Sequence, residues 1–376
     1  MKKYQITAGE AITYRNYFRA LKRCNKSVNY KFSVQNYNVN CIQEITESIR
    51  CIRAGDIPEI RNQKKTIIRE RGKTREITPI DIVDRVAIKV QCDNVLIPSI
   101  VPHMIYDNGA SLEGKGTEFA RQRTGQFIES AKLEYGPDNL WVIELDLKHF
   151  FDNIPRKNCR ELLRYYLHDE SLIKLNIGFI EQYDAKRPGY GLCLGSQESQ
   201  ILAVAVLNPL DHYIKDVLGI RYYVRYMDDG ILIVNSRERA KEVLQLIDAK
   251  VRTMDMELHD RKTRIVNARN GFTFLKIKYQ IIGNRTVKRL TRQGIVRERR
   301  RLKKLQPRIA AGTLPADEIY QSMQSWNAHA AAANRSWRTE KEMFRLYDQL
   351  YGGYRMTQKY YRQHPEIRRK KKVTAF

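Results

Sequence analysis

Several common signatures are missing from this 376-residue sequence. Its six cysteines include no C-x-x-C pair and no neighbouring His at zinc-ligand spacing, so free thiols in a reducing compartment are the expectation. The longest apolar run, Ile201 to Leu207, is far too short to span a bilayer, and the first residues lack the apolar core of a signal peptide. We therefore expect a cytoplasmic protein with no membrane partner.

Acidic residues are scarce compared with basic ones. Lys and Arg number 68 against 42 Asp and Glu, which gives a net charge of +26 and a pI of about 9.8. Residues 281–376 alone hold 23 Lys or Arg and 7 Asp or Glu. This excess predicts a polyanionic partner such as nucleic acid. A solvated surface or a disordered tail is the other interpretation, and it suits the run Arg368 to Lys372.

Three carboxylates occupy positions where burial of charge is costly. Asp228 and Asp229 lie between two strand-like runs, 221–225 and 230–234, which predicts a β-hairpin with the acidic pair at its tip. Asp146 follows the buried-strand pattern of residues 140–145. Acidic groups at the ends of two adjacent strands are what a two-metal phosphoryl-transfer site requires. An ordinary Asp-containing turn is the alternative for Asp228 and Asp229 taken alone.

The surrounding residues resemble the palm of a reverse transcriptase. Residues 146–152 resemble the first catalytic motif, an Asp followed five residues later by an aromatic, and residues 226–229 resemble the Y-x-D-D box. Between them, residues 194–200 read Leu-Gly-x-x-x-Ser-Gln where most reverse transcriptases carry Gln-Gly-x-x-x-Ser-Pro. That variant is similar to the reverse transcriptases of diversity-generating retroelements, within the bacterial and phage group II-intron-like superfamily. Three motifs in the right order carry the resemblance.

The resemblance implies roles for individual side chains. Asp146, Asp228 and Asp229 would be catalytic and would bind two Mg²⁺ ions, for which Mn²⁺ can substitute. The side chains implied to contact the incoming nucleotide are Arg69, Arg75, Phe151, Leu194, Gly195, Gln200 and Lys262. Phe151 would exclude a 2′-OH, and Lys262 would donate a proton to the pyrophosphate. The plainer alternatives are a core ring for Phe151, a solvated loop Lys262 and an edge-strand cation at Arg69.

Leu194 is the residue for which the resemblance has the clearest consequence for specificity. The Gln that other reverse transcriptases carry there lies near the template base, and a Leu cannot replace its hydrogen bonds. The resemblance implies error-prone copying concentrated at template adenines. The physical properties of Leu do not explain why adenine would be favoured.

Beyond residue 290 the pattern becomes helical and basic. Cations at Arg297, Arg300, Arg301 and Lys304 alternate with apolar residues at helical spacing, which predicts a helical thumb that binds a nucleic-acid duplex. Upstream, residues 65–70 and 74–78 predict a hairpin of the fingers. Phe272 to Ile277 alternates as a strand, and in the resemblance it matches the place of the primer-grip hairpin.

These patterns predict an α+β right-hand polymerase, with fingers and palm built from antiparallel sheet and helices and with a helical thumb. The predicted divisions are an N-terminal helical region (1–60), fingers (61–135), a palm (136–285), a thumb (286–365) and a basic tail (366–376). The palm is expected to hold a fingers insertion around 155–195.

The predicted function is that of an RNA-directed DNA polymerase that copies a retroelement template RNA into cDNA and so diversifies a target gene. Its expected partners are the template RNA, the RNA/cDNA duplex, dNTPs and a small, basic, oligomeric accessory protein. The alternatives are a retron, group II-intron-like or phage-defence reverse transcriptase, an RNA-binding scaffold with a vestigial palm, and an RNA-dependent RNA polymerase. The loop 109–117 nearly matches a phosphate-binding loop, but Gly116 replaces its Ser or Thr, which disfavours a kinase or an ATPase.

Overall fold

The structure is a computed structural model that describes residues 3–61, 64–70, 73–334 and 336–354. The predicted basic tail therefore lies outside the described residues, and so does the end of the predicted thumb.

The N-terminal region folds as helices, as its sequence predicts. Thr7 and Thr13 each accept a hydrogen bond from a backbone amide of the first turn, which caps the first two helices. Apolar residues at helical spacing, such as Tyr17 and Leu21, are buried, while the opposite helix face is exposed. The helices are α1 (Ala8–Ala11), α2 (Tyr14–Cys24), α3 (Phe32–Val39) and α4 (Cys41–Arg53).

A two-stranded antiparallel hairpin follows, formed by β1 (Thr66–Glu70) and β2 (Lys73–Ile77), in the place predicted for the fingers hairpin. The Asp81 side chain accepts from the Val83 amide and caps the next helix. Three α-helices and one strand precede Asp146 of the first motif: α5 (Ile82–Gln91), α6 (Ile97–Ile100), α7 (Thr117–Tyr135) and β3 (Trp141–Leu145). Three α-helices follow Asp146: α8 (Phe150–Asn153), α9 (Arg156–Tyr166) and α10 (Glu170–Glu181).

The second motif lies on a hairpin in a four-stranded sheet. The elements of this part are α11 (Gln197–Val206), α12 (Asn208–His212), β4 (Tyr223–Tyr226), β5 (Asp229–Val234), α13 (Arg237–Thr253) and β6 (Arg264–Asn267). The sheet order is β4-β5-β3-β6, and β4 and β5 pair antiparallel with Tyr226 opposite Asp229. Strands β3 and β5 carry mostly buried residues, which fits their nearly continuous apolar sequences.

Three strands and three helices follow: β7 (Phe272–Phe274), β8 (Ile277–Ile282), β9 (Arg285–Leu290), α14 (Arg292–Ala310), α15 (Ala316–Ala330) and α16 (Trp337–Tyr351). The prediction of one strand over 272–277 is wrong, because Leu275 and Lys276 both have positive φ and form a tight turn between β7 and β8. The three helices share a core of Leu302, Ile319, Met323, Met343 and Tyr347.

The chain divides into two compact units that do not follow its order. One contains residues 1–127 and 143–265, and the other contains residues 128–142 and 266–376. The α+β class is confirmed, because helices are combined with antiparallel strand pairs. The limits of fingers, palm and thumb stay a prediction.

Candidate active site

The three predicted catalytic carboxylates lie close together in the first unit. Strand β3 pairs with β5, so Asp146, which directly follows β3, lies beside the hairpin tip that carries Asp228 and Asp229. Burial raises the pKa of Asp229 to about 7, and the negative charges of Asp228 and Asp146 add to this effect. Asp146, Asp228 and Asp229 therefore cluster, as their positions at the ends of two adjacent strands predict.

Lys262 reaches the same cluster. Its Nζ donates to both carboxylate oxygens of Asp146, at 2.7 and 2.9 Å. The turn that carries Lys262 is tied to the same residue, since the His259 amide and the Thr263 hydroxyl both donate to the Asp146 carbonyl, at 2.8 and 3.2 Å. Asp146 and the turn that carries Lys262 are thus held together by backbone contacts as well as by the ion pair, and the role of Lys262 stays a prediction.

The donor set fits a divalent cation. Three clustered carboxylates offer the oxygen ligands that Mg²⁺ prefers. A cation would offset both the burial and the repulsion that raise the pKa of Asp229. Within the described ranges, however, no three acidic, His or Cys groups already surround a metal position. The Asp146 carboxylate is paired with the Lys262 ammonium. The metal-binding roles of Asp146, Asp228 and Asp229 stay a prediction.

A buried ion pair, which sequence reasoning missed, supports the hairpin tip. The Arg225 guanidinium binds both carboxylate oxygens of Asp211, at 2.7 and 2.5 Å, and both side chains are almost completely buried. Arg225 also donates to the carbonyl of Met227, at 2.9 Å. Met227 has a left-handed φ of 54°, which is unfavourable for a residue with a side chain. The ion pair thus holds a strained turn in the conformation that presents Asp228.

The outer edge of β4 is also occupied. The Arg225 amide donates to the Asp107 carbonyl and the Gly109 amide donates to the Arg225 carbonyl, at 3.1 and 2.9 Å. In the loop that follows, the Lys115 ammonium donates to the Tyr106 carbonyl and lies over the rings of Tyr106 and Phe119. The contacts of Lys115 are therefore with residues close to it in sequence, and the loop supports the edge of the sheet.

Phe151 lies beside the central motif. Its carbonyl accepts from the Leu192 amide at 3.0 Å, and the Gly191 amide donates to the Ile154 carbonyl at 2.9 Å. Gly191 has a φ of 83°, and a Cβ there would lie 3.3 Å from the Asp152 carbonyl oxygen, so the close approach favours glycine. The Phe151 ring is half-buried and contacts Phe150 edge-on. Backbone bonds thus place the proposed steric gate next to residues 191–195.

The fingers hairpin is joined to the same motif. The Thr78 amide, just beyond β2, donates to the Leu194 carbonyl at 3.3 Å. Gly195 has a φ of 135°, and a Cβ on it would lie only 2.7 Å from the Thr78 carbonyl oxygen. Glycine is therefore required at position 195 for two reasons, backbone conformation and space.

The two candidate arginines of the hairpin lie on opposite faces. Arg69 is paired with Thr74, and Arg75 with Ile68, so adjacent register positions point their side chains in opposite directions. Arg75 shares its face with Ile77, whose side chain lies next to Gly195. The hairpin geometry therefore favours Arg75 over Arg69 as the nucleotide contact.

Helix α11 starts directly after Gly195 and carries Gln200. Leu194 and Gln200 are both half-buried. Between them lies Glu198, which is completely buried, and neither of its carboxylate oxygens has a hydrogen-bond partner among the described residues. Burial raises the pKa of Glu198 well above its usual value and so favours the neutral form of this carboxyl.

The predicted thumb cations belong to the second unit. Arg297, Arg300, Arg301 and Lys304 are spaced three and four residues apart on α14, and all four are exposed on one face. The opposite face carries the buried Leu302. Arg301 also contacts the Ser322 hydroxyl and Glu298. The helix therefore presents a cationic face, as its sequence predicts.

No helix in the described part of the chain is long and apolar enough to cross a bilayer.

Comparisons with known proteins bear on the family. The chain is similar to a solved structure of apo telomerase from Candida tropicalis truncated from the C-terminal domain, with 13% identity and a TM-score of 0.48 over 66% of this chain. It spans 60% of the length of that telomerase chain. No curated protein sequence matches. A family model for reverse transcriptase (RNA-dependent DNA polymerase) matches residues 62–279, more than half of the chain.

That range contains all three catalytic motifs and excludes α14. The resemblance that those motifs carry is thereby confirmed at the level of the family. Reverse transcriptase domains use divalent metal ions, which the carboxylate cluster suits. The chain belongs to the reverse transcriptase (RNA-dependent DNA polymerase) family.

Proposed function

We propose that the protein is an RNA-directed DNA polymerase that copies a retroelement template RNA into cDNA. The observation that carries this proposal is the meeting of Asp146, Asp228 and Asp229 at one edge of the sheet, with Lys262 bound to Asp146. Template RNA, the RNA/cDNA duplex and dNTPs are the partners that this activity needs. A cytoplasmic location belongs to the same proposal.

Two Mg²⁺ ions, when bound by Asp146, Asp228 and Asp229, would favour ionisation of the primer 3′-OH and neutralise charge on the triphosphate. The protein itself supplies position. The Arg225–Asp211 pair fixes the carbonyl of Met227, so Asp228 and Asp229 keep their places when the substrates bind. Phe151, beside residues 191–195, would exclude a ribose 2′-OH.

Lys262 has two roles in this proposal. Without substrates, its ammonium neutralises Asp146. Cations that bind the Asp146 carboxylate compete with that ammonium, so Lys262 would be released toward the negatively charged triphosphate. There it can donate a proton from Nζ to the leaving pyrophosphate. Binding of a metal ion to Asp146 would thus free Lys262 to act as the general acid.

The finer assignment is a reverse transcriptase of a diversity-generating retroelement, with errors concentrated at template adenines. Leu194 supports it, since this half-buried apolar side chain beside the fingers hairpin offers no hydrogen bond to a template base. A small, basic, oligomeric accessory protein belongs to this assignment. The runner-up is a retron, group II-intron-like or phage-defence reverse transcriptase, which would copy adenines faithfully.

Primer extension tests the activity. With an RNA template, a DNA primer and Mg²⁺, the full-length protein should incorporate dNTPs and reject rNTPs, and Mn²⁺ should also support synthesis. Asp228→Asn should abolish synthesis, whereas Asp248→Asn, which changes an acidic residue on the surface helix α13, should not. Preference for rNTPs would favour an RNA-dependent RNA polymerase. Equal synthesis by Asp228→Asn would remove the carboxylate cluster from the mechanism.

A further inference from the structure

Large apolar side chains are exposed on the N-terminal helices. Tyr30 and Phe32 are 77% and 83% exposed, and Tyr14 and Phe18 on α2 are 43% exposed. Exposed aromatic groups clustered in one stretch of chain usually mark an interaction site. We call the exposed side chains of Tyr14, Phe18, Tyr30 and Phe32 the N-terminal aromatic surface.

Helical spacing places cations beside these rings. Tyr14, Phe18 and Lys22 follow one another at four-residue steps and so form one ridge of α2, and Arg15 and Arg19 form the adjoining ridge. All five are exposed, while the opposite face of α2 is buried. Lys26 and Lys31, which flank Tyr30 in the segment between α2 and α3, are exposed too. Exposed rings and positive charges therefore alternate along residues 14–32.

The charge of this region has one sign. Residues 11–43 contain six Lys or Arg and no Asp or Glu. Arg23 forms an ion pair with Asp93 at 2.7 Å, but no ion pair within the described ranges involves the other five cations. A second copy of this chain, with its net charge of +26, would be repelled, and so would a basic accessory protein. A polyanion with exposed planar groups is complementary to such a surface.

We propose that the N-terminal aromatic surface binds an unpaired segment of RNA, with bases stacked on Tyr30 and Phe32 and with phosphates near Lys22, Lys26 and Lys31. Aromatic rings bind the faces of unpaired bases whatever their sequence, and the neighbouring cations track the phosphate backbone. Bases inside a duplex are stacked on one another and cannot use such rings. The proposal rests on the proposed function, for which it names a second RNA contact outside the carboxylate cluster.

The surface extends toward the nucleotide motif. The end of α2 borders a cavity of about 260 Å³ that Arg23, Arg85 and Lys89 line together with residues 195–197. Arg23 and Lys89 share the Asp93 carboxylate, so RNA bound along α2 would pass this ion-paired group and Arg85 before it reaches Gly195. This continuity ties the surface to the candidate active site and not to a remote function.

Equilibrium binding of an unstructured RNA of about 20 nucleotides, long enough to cover more than one site, tests the proposal. The assay uses the full-length protein and a fluorescent RNA, without primer, dNTPs or divalent metal. Each stacked base contributes at least about 1 kcal/mol to the binding free energy. The double variant Tyr30→Ser/Phe32→Ser, which removes two rings, should therefore weaken binding roughly 30-fold. Tyr165→Ser is the matched control, because Tyr165 is 57% exposed but lies on α9.

Salt dependence tests the phosphate contacts separately. Removal of two phosphate contacts by Lys22→Gln/Lys31→Gln should make the slope of log affinity against log salt shallower by about 1.4. Lys241→Gln, an exposed change on α13, should leave the slope unchanged.

Wild-type affinity of the Tyr30→Ser/Phe32→Ser variant, with its fold verified by circular dichroism, would overturn the proposal. A wild-type dimer that this variant converts to a monomer would also overturn it, since the rings would then form an interface between copies. Absence of DNA synthesis in the extension assay would count against the proposed function alone, because the binding assay involves no catalysis.

Discussion

The Lys262 ammonium donates to both carboxylate oxygens of Asp146, at 2.7 and 2.9 Å. A divalent cation needs the same oxygens, so the lysine and the metal compete for Asp146. Because the Lys262 side chain is half-exposed, their ion pair is worth at most about 1 kcal/mol. Small changes at position 262 should therefore shift metal binding without loss of the fold.

Lys262→Met should strengthen Mn²⁺ binding to the substrate-free protein by up to about fivefold, because a half-exposed ion pair is removed from the carboxylate. The same variant should slow primer extension by about 100-fold if Lys262 is the general acid. Titration followed by electron paramagnetic resonance measures the affinity, and single-turnover kinetics measures the rate. Lys148→Met removes a nearby ion pair with Glu257 and is the control. Unchanged metal affinity in Lys262→Met would contradict competition for Asp146.

The buried pair of Arg225 and Asp211 should support both stability and activity. Arg225→Met leaves the Asp211 carboxylate buried without its cationic partner and with only the Tyr223 hydroxyl donating to it, so the free energy of unfolding should fall by about 3–5 kcal/mol. Arg225→Met/Asp211→Leu removes both charges and should recover most of that loss in urea unfolding.

Activity measurements distinguish a positioning role of Arg225 at the hairpin turn from its contribution to the free energy of unfolding. The double variant still lacks the hydrogen bond to the Met227 carbonyl, so its primer extension should stay at least about tenfold below wild type. If restored stability also restored the full rate, Arg225 would have no positioning role at the hairpin tip.

Gly195→Ala should disrupt the join between the fingers hairpin and the central motif. A Cβ at this position meets the Thr78 carbonyl at 2.7 Å, which forces the two segments apart. The KM for dNTPs should rise, with a loss of about 1–3 kcal/mol in stability. Gly189→Ala is the matched control, because Gly189 also has a positive φ but no atom within 4 Å of the added Cβ. Similar kinetics for the two variants would mean that contact with Thr78 is unimportant.

Glu198 should make stability depend on pH. Its raised native pKa means that the folded protein retains a proton that the unfolded chain loses above a pH of about 4.3. Wild-type stability should therefore fall as pH rises from that value toward the native pKa, by up to about 1.4 kcal/mol per pH unit from this group.

Glu198→Gln is neutral at every pH and lacks that contribution. Its urea-unfolding midpoint should match wild type near pH 4 and exceed it increasingly as the pH rises from there toward the native pKa of Glu198. Parallel pH profiles for the two proteins would show that Glu198 ionises normally in the folded state.

Leu194→Gln should raise fidelity at template adenines, because the amide side chain can hydrogen-bond near the nascent base pair. Sequencing of cDNA from the variant and from wild type measures the effect, and errors at the other three template bases provide the internal control. An unchanged error spectrum would remove Leu194 from the basis of infidelity.

Much of the candidate site was predictable because its signals are local. Asp146 ends an apolar run, and Asp228 and Asp229 lie between two strands, so alternation and burial were enough to place them. Lys262 was linked to the site by family resemblance alone. Its 116-residue separation from Asp146 gives no local signal.

Other features depend on tertiary contacts. Arg225 is a charged residue inside a buried strand, which could have signalled a buried partner, but nothing in the sequence singles out Asp211. The turn at Leu275 and Lys276 lacks the Gly or Asn that usually reveals positive φ. The division that joins residues 128–142 with 266–376 arises from packing between distant segments, which periodicity does not report.

The central claim is that the protein synthesises DNA on an RNA template and that Asp146, Asp228 and Asp229 are its catalytic carboxylates. The most direct measurement is primer extension with Mg²⁺ and dNTPs on the cognate RNA, with the cDNA sequenced and its errors sorted by template base. The account predicts DNA that is complementary to the RNA, carries errors concentrated at adenines, and is absent with Asp228→Asn. Failure of the wild-type protein to make DNA, with the template RNA and the accessory protein present, would contradict it.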